Sequence, residues 1–148
     1  MSKYDEDFYA WTHEQAHLLR AGLWNVVDVE HLAEEIEDVG REQRHAVESH
    51  LTNLLMHLLK WRYQPTHRSR SWRVSIRNAR IEIRKRWTGS LAAEVERNFG
   101  SIYADARQLA IDETGLPPET FPGGTPWGLR QIFDSEFLPE GSDNNLTG

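Results

Sequence analysis

The stretch that decides the fold runs from Asp28 to Trp61 and reads DVEHLAEEIEDVGREQRHAVESHLTNLLMHLLKW. Apolar side chains recur in it at steps of three and four residues, which places them on one face of an α-helix. They are Leu32, Ile36, Val39, Val47, Leu51, Leu54, Leu58 and Trp61. A helix of roughly 34 residues is about 50 Å long, so we expect at least two other elements to bury that face. Gly40 lies inside the helix and predicts a bend or a close helix crossing.

Shorter helical patterns precede and follow the long helix. The sequence predicts a first helix from Asp5 to Ala21 that ends at Gly22, a third from Trp72 to Trp87 capped by Ser71, and a fourth from Ser90 to Glu113. The connections between them are short, which favours antiparallel neighbours. The predicted fold is therefore all-α, an antiparallel four-helix bundle-like domain with a long second helix.

A segment rich in proline and glycine follows the fourth helix, between Pro117 and Pro126. Phe121 and Trp127 supply apolar anchors, so we predict an ordered wrap and not a flexible linker. Thr125-Pro126 resembles a cap followed by proline at the first helical position and predicts a short fifth helix. We expect one domain over residues 1–139 and a disordered tail over residues 140–148.

The composition is that of a globular protein, with 148 residues, a net charge of −6 and no cysteine. The absence of cysteine excludes disulfides, thiol nucleophiles and thiolate metal sites. No stretch approaches the roughly 18 to 20 apolar residues of a membrane span, and the N-terminus lacks the pattern of a signal peptide. We expect a cytoplasmic protein that does not bind a membrane.

Charge is distributed unevenly along the chain. Residues 61–87 hold nine Lys and Arg against Glu82 alone, whereas residues 1–60 hold 12 Asp and Glu against 5 Lys and Arg. Five arginines step along the third helix by 3, 4, 3 and 4 residues: Arg70, Arg73, Arg77, Arg80 and Arg84. Such a stripe suits a phosphate backbone, with Trp72 stacking on bases. It equally suits internal pairing with the acidic helices.

Two histidines, His50 and His57, lie at the border of the apolar face of the long helix. A buried histidine needs a polar partner, for which Arg80, Arg77 and Glu35 are candidates. Arg44 and His50 also match the loose Arg-x(4–6)-His spacing of helical HEPN ribonucleases, which leaves RNA cleavage open as an alternative function.

A metal-dependent helical-bundle enzyme is the third alternative. His13 and His17 lie one turn apart, and Glu42 with His45 matches the Glu-x-x-His spacing of di-iron bundles. Those sites use two such pairs, and the second pair is absent from this sequence. We therefore predict no metal and no other cofactor.

The order of several short motifs resembles a bacterial family, domain-of-unknown-function family number twenty-nine. The motifs are Tyr4-Asp5-x-Asp7-Phe8-Tyr9-x-Trp11, Leu32-Ala33-Glu34-Glu35-Ile36-Glu37, His57-Leu58-Leu59-Lys60-Trp61-Arg62-Tyr63-Gln64-Pro65 with Ser71-Trp72, and Thr125-Pro126-Trp127. The resemblance implies an all-helical domain without an established biochemical activity. It also draws attention to Asp7, Trp11, Gln15, Glu35, His57, Lys60, Gln64, Trp72 and Arg80.

These observations favour a non-enzymatic domain that acts through a protein partner or through self-association. Its acidic first two helices or its basic third helix would form the contact. The candidate binding residues are His57, Trp72, Arg73, Arg77, Arg80, Glu35 and Lys60. Nucleic-acid binding through the arginine stripe is the main alternative.

Overall fold

The computed structural model describes residues 2–140, and all regular structure in that range is helical. Its α-helices are α1 (Lys3–Glu6), α2 (Phe8–Arg20), α3 (Val29–Tyr63), α4 (Arg70–Arg86), α5 (Gly89–Thr114) and α6 (Leu129–Phe133). Four of them are long, which confirms the predicted all-α, bundle-like class. Apart from Glu140, the tail predicted to be disordered lies outside the described residues. No helix within residues 2–140 has the length and apolarity needed to cross a lipid bilayer.

The chain divides into two compact units, which we call the N-terminal unit (Met1–Glu42) and the C-terminal unit (Gln43–Gly148). Helix α3 contributes residues to both. The expectation of a single domain over residues 1–139 stays a prediction.

The predicted first helix, Asp5 to Ala21, is two helices in the structure. The backbone leaves the helical region at Asp7, with φ −148° and ψ 80°. In that conformation Asp7 Oδ1 accepts the backbone N–H of Ala10 at 3.1 Å and caps α2. The aspartate is therefore an N-cap and not part of a continuous helix, because capping requires a non-helical backbone.

Helix α2 ends as predicted at Gly22, whose φ of +74° favours glycine. The backbone N–H groups of Gly22 and Leu23 donate to the carbonyls of Leu19 and Leu18 at 3.1 and 3.0 Å. This is the pair of hydrogen bonds that closes a helix C-terminus in a Schellman motif.

The core of the C-terminal unit lies between α3, α4 and α5. The predicted apolar face of α3 is buried from Val47 to Trp61, and α4 and α5 cover it with their own apolar faces. Their buried residues are Ile76, Ala79, Ile83, Val95, Ile102, Tyr103, Ala106 and Ala110. The periodicity of α3 therefore predicts its buried face correctly in this unit.

The same periodicity is wrong for the N-terminal part of α3. Val29, Ile36 and Val39 expose 64%, 70% and 66% of their surface. A Cβ atom added at Gly40 would have no neighbour within 4 Å, so none of the helices described in residues 2–140 crosses closely there. Periodicity identifies an apolar face, but it does not say whether the chain supplies anything to cover that face.

Helices α4 and α5 begin slightly earlier than predicted. Ser69, and not Ser71, caps α4 by accepting the N–H of Trp72 at 3.2 Å. Thr88 caps α5 by accepting the N–H of Leu91 at 3.4 Å. Ser69 lies two positions before the predicted cap of α4, and Thr88 lies two positions before the predicted start of α5 at Ser90. Sequence alone does not choose between neighbouring hydroxyls.

The segment after α5 is the ordered wrap that the sequence predicts. Phe121, Trp127 and Ile132 are buried against the core of the C-terminal unit. The predicted start of the last helix is wrong, because Gly128 is the N-cap of α6. Thr125 Oγ1 instead bonds the backbone of Trp127, accepting its N–H at 3.3 Å and donating to its carbonyl at 3.0 Å.

Candidate functional site

The N-terminal unit contains a cluster of polar and aromatic side chains around Asp28. Asp28 Oδ2 accepts a hydrogen bond from Trp11 Nε1 at 3.3 Å and lies 2.7 Å from His31 Nδ1. Gln15 Oε1 accepts the backbone N–H of Asp28 at 2.8 Å. Trp11 and Gln15 are the buried side chains of this unit within its described residues. We call these four residues, with Tyr4 and Glu35, the Asp28 cluster.

Tyr4 and Glu35 complete the cluster. The ring of Tyr4 stacks on His31 with 3.8 Å between centroids. Its hydroxyl donates to Glu35 Oε1, and that hydrogen bond raises the pKa of Tyr4 to about 12. The hydrogen bond between His31 and Asp28 raises the pKa of His31 and lowers the pKa of Asp28. Each residue of the cluster thus forms a hydrogen bond with another member, which suits a network that orders the unit.

A surface beside this cluster carries unusually exposed apolar side chains. Among the described residues, nine of the twelve exposed large apolar side chains belong to the N-terminal unit. Val29, Ala33, Ile36, Val39 and Gly40 lie on one side of α3, since their spacing follows the helical repeat. We call these five residues the N-terminal face. The small residues Ala33 and Gly40 leave room for another backbone to approach.

Acidic residues surround the N-terminal face. Glu30 and Glu37 are exposed on α3 and lie one turn from Ala33. The whole N-terminal unit has eleven Asp and Glu against three Lys and Arg, a net charge of −8. The surface therefore combines exposed apolar contacts with a strongly negative rim.

Three of the predicted site residues come together in the C-terminal unit. Lys60 Nζ lies 2.7 Å from Glu113 Oε2 and 4.8 Å from the ring centroid of Trp72. His57 Nδ1 lies 2.8 Å from the backbone carbonyl of Asn53. Burial lowers the pKa of His57, and the positive charge of Lys60 adds to that effect. The hydrogen bond to Asn53 opposes this lowering, and His57 is a locally bonded histidine beside a paired lysine.

Arg80 does not join this group. It is 6% exposed, and its guanidinium donates to two backbone carbonyls, from Nε to Ile132 at 2.9 Å and from Nη2 to Phe137 at 2.7 Å. Burial lowers the pKa of Arg80 from its usual value, while nearby Asp134 opposes that effect. The residue holds the C-terminal segment against α4.

The other arginines of α4 line the surface next to this segment. Arg73, Arg77 and Arg84 are exposed and border a cavity of about 620 Å³ that also contacts Ser135, Glu136 and Leu138. Arg73 Cζ lies 5.3 Å from the ring centroid of Trp61. None of these three arginines forms an ion pair with a carboxylate among residues 2–140. The sequence left open whether the arginine stripe pairs with acidic helices. These three arginines of the stripe do not form such pairs within residues 2–140.

A comparison with protein families identifies the chain. Residues 3–138 match the family described as Domain of unknown function DUF29. The chain belongs to DUF29. No curated protein and no solved structure matches it.

Several of the residues that carry the resemblance to DUF29 lie in the Asp28 cluster. Tyr4, Trp11, Gln15 and Glu35 are all members of it, and Asp7 caps α2. Sequence reasoning missed the roles of Asp28 and His31 in the cluster. The available signal was the Asp-x-x-His spacing at the start of a helix, where the aspartate both caps the helix and reaches the histidine.

Two structural features of this DUF29 chain concern the residues named for the enzymatic alternatives. Among residues 2–140, no three His, Asp or Glu side chains are grouped so that they could hold a metal ion. Arg44, proposed as a partner of His50 for RNA cleavage, lies between two carboxylates, 3.9 Å from Glu48 and 4.0 Å from Glu94. Its Nε has no hydrogen-bond partner within the described residues.

Proposed function

We propose that this DUF29 domain is a non-enzymatic binding module that takes a basic amphipathic helix of a partner protein on its N-terminal face. The observation that carries the proposal is the exposure of Val29, Ile36 and Val39, each more than three-fifths open to solvent. Exposed apolar patches of this kind are typical of interaction sites. Covering the exposed part of each side chain would contribute about 1 to 2 kcal/mol.

The shape and charge of the surface support a helix as the occupant. An amphipathic helix docks through apolar anchors at helical spacing, and small residues allow two helices to approach closely. Ala33 and Gly40 supply such positions. The net charge of −8 favours a basic partner and disfavours the pairing of two identical units.

Site-specific photo-crosslinking in the cells that make the protein tests this proposal. A benzophenone amino acid at Ile36 should capture a partner protein through a peptide that is basic and amphipathic. The matched control is the same probe at Leu109, an exposed apolar residue of α5, which should capture nothing. Ile36→Ser with Val39→Ser should abolish the complex while leaving the helical content unchanged.

Three results would contradict the proposal. Equal capture at Leu109 would show non-specific contact, and an acidic captured peptide would rule out the predicted charge complementarity. A crosslink joining two copies of the chain at Ile36 would replace the partner with self-association.

Polyanion binding is a second candidate function, favoured by the exposed arginines of α4. Arg70, Arg77 and Arg84 are exposed and unpaired among residues 2–140. This function predicts binding to single-stranded RNA that weakens steeply as salt rises. Arg77→Gln with Arg84→Gln should reduce that binding, whereas Arg97→Gln should not, since Arg97 lies 3.0 Å from Glu94. Absence of binding at low salt would dismiss this candidate.

A further inference from the structure

A separate cavity opens at the first turn of α4 in the C-terminal unit. Its volume is about 490 Å³. The residues that line it are Trp61, Arg68, Ser69, Arg70, Arg73, Leu138 and Glu140. Three arginines face one glutamate, so the lining has a net charge of +2. A volume of this size is typical of small-molecule sites.

Two buried donors at this cavity lack acceptors. Trp61 is 4% exposed, and its indole Nε1 has no hydrogen-bond partner among the described residues. Arg68 Nη2 is also buried without a hydrogen-bond partner among the described residues. The Nε atom of the same side chain donates to the carbonyl of Trp61 at 2.8 Å. An unsatisfied buried donor destabilises a protein by about 1 to 3 kcal/mol, and more when it is charged. Such donors are uncommon in folded proteins, and a ligand is one explanation for them.

Two guanidinium groups, those of Arg68 and Arg73, lie over the indole ring of Trp61. Arg68 Cζ and Arg73 Cζ lie 5.0 and 5.3 Å from the ring centroid of Trp61. The ring attracts both cations. A bound anion would add charged hydrogen-bond acceptors for their guanidinium groups.

The start of α4 adds backbone donors at the same place. The first N–H groups of a helix have no acceptor within the helix, and the Ser69 hydroxyl takes only that of Trp72. The N–H groups of Arg70 and Ser71 remain available. A helix of 17 residues also places partial positive charge at this end.

We propose that this cavity binds the phosphate dianion of a small phosphate monoester. Exposed Arg70 and Arg73 and the N-terminus of α4 hold the phosphate. Arg68 reorients so that its Nη2, which has no acceptor among residues 2–140, gains one from the phosphate. The tetrahedral dianion matches the net charge of +2, and the cavity leaves room for the organic group. This site lies outside the N-terminal face and does not depend on partner binding there.

Nuclear magnetic resonance of the indole N–H of Trp61 measures this binding directly. The full chain, labelled with ¹⁵N, is titrated with glycerol 3-phosphate and, separately, with inorganic phosphate. We expect the Trp61 indole signal to shift with saturation, and glycerol 3-phosphate to bind more tightly than inorganic phosphate. Trp61→Phe assigns the signal and serves no other purpose.

Matched arginine variants distinguish a specific phosphate site from non-specific electrostatic attraction of the anion to α4. Arg70→Gln and Arg73→Gln remove exposed charges that line the cavity and should each raise the Kd at least about tenfold, as expected for a lost charged hydrogen bond. Arg84→Gln makes the same charge change on α4 outside this cavity and should leave the Kd unchanged. Circular dichroism confirms that the helices persist in all three.

Each of the remaining outcomes overturns the proposal. If neither compound shifts the indole signal at millimolar concentration, the site does not exist. If Arg84→Gln weakens binding as much as Arg73→Gln, the attraction is non-specific. If inorganic phosphate binds more tightly than glycerol 3-phosphate, the ligand is the free ion and not an ester. None of these variants alters the N-terminal face, so crosslinking at Ile36 should be unchanged in all of them.

Discussion

Replacing Arg80 with methionine should weaken the attachment of the C-terminal segment, residues 129–139, to α4. The guanidinium of Arg80 donates to the carbonyls of Ile132 and Phe137 at 2.9 and 2.7 Å. Hydrogen bonds from a charged group contribute about 1.5 to 3 kcal/mol each, and methionine keeps the apolar packing of the side-chain stem. We therefore expect the free energy of unfolding to fall by at least about 3 kcal/mol, which lowers the Tm by roughly 6 to 12 °C in a chain of this size.

Urea denaturation and hydrogen exchange together measure this effect. The midpoint of unfolding should move to lower urea, and amide exchange over residues 129–139 should accelerate more than in the core of α3 and α5. Arg84→Met is the control, since Arg84 is exposed on the same helix and its loss should change stability by no more than about 0.5 kcal/mol. Equal stability of the two variants, or unchanged exchange in the C-terminal segment, would refute the structural role of Arg80.

The remaining predictions concern pH and single side chains. The pKa of His31 is raised above 6.5 and that of Asp28 is lowered below 3.8. The hydrogen bond between the two side chains therefore stabilises the folded protein fully between pH 3.8 and pH 6.5. This stabilisation is lost as pH rises through the pKa of His31 in the folded protein, or falls through that of Asp28. Thermal melts extended below pH 3.8 and above pH 6.5 should show the loss on both sides, and His31→Ala should remove the alkaline one. Tyr103→Phe deletes a 2.6 Å hydrogen bond from a buried hydroxyl to a backbone carbonyl and should lower the free energy of unfolding by about 1 kcal/mol; an unchanged urea midpoint would contradict this. Gly115→Ala should destabilise by about 1 to 2 kcal/mol, since its φ is +69°, whereas Gly40→Ala in the exposed middle of α3 should stabilise by about 0.5 to 1 kcal/mol. Chemical denaturation compares the two, and the same sign for both would be inconsistent with these conformations.

Much of the fold follows from local rules that a sequence displays directly. The long helix, the stop at Gly22 and the ordered wrap were all predicted from periodicity, glycine and apolar anchors. Exact caps were less predictable. Asp7, Ser69 and Thr88 take these positions because of side-chain hydrogen bonds that neighbouring polar residues compete to make. Gly128 caps α6 without a side-chain hydrogen bond.

The candidate sites depended more strongly on tertiary contacts. The sequence placed Trp72 and Arg80 in one set of candidate binding residues. In the structure Trp72 pairs with Lys60, while Arg80 reaches the C-terminal segment 52 residues away. Helical spacing shows which residues share a face, but it does not show which carbonyl a long side chain will meet. The family resemblance did point to residues of the Asp28 cluster, although the bonds between them appear only in the structure.

The sequence by itself determined that this chain is helical, where its helices lie and which sides of them are apolar, because those features depend on interactions within a few residues. Only the tertiary structure decided which apolar sides are covered. From Val47 to Trp61 the face of α3 is sealed by α4 and α5, whereas Val29, Ile36 and Val39 stay open. A helix face is buried only when another element packs on it, and the residue pattern of the helix itself does not specify that element.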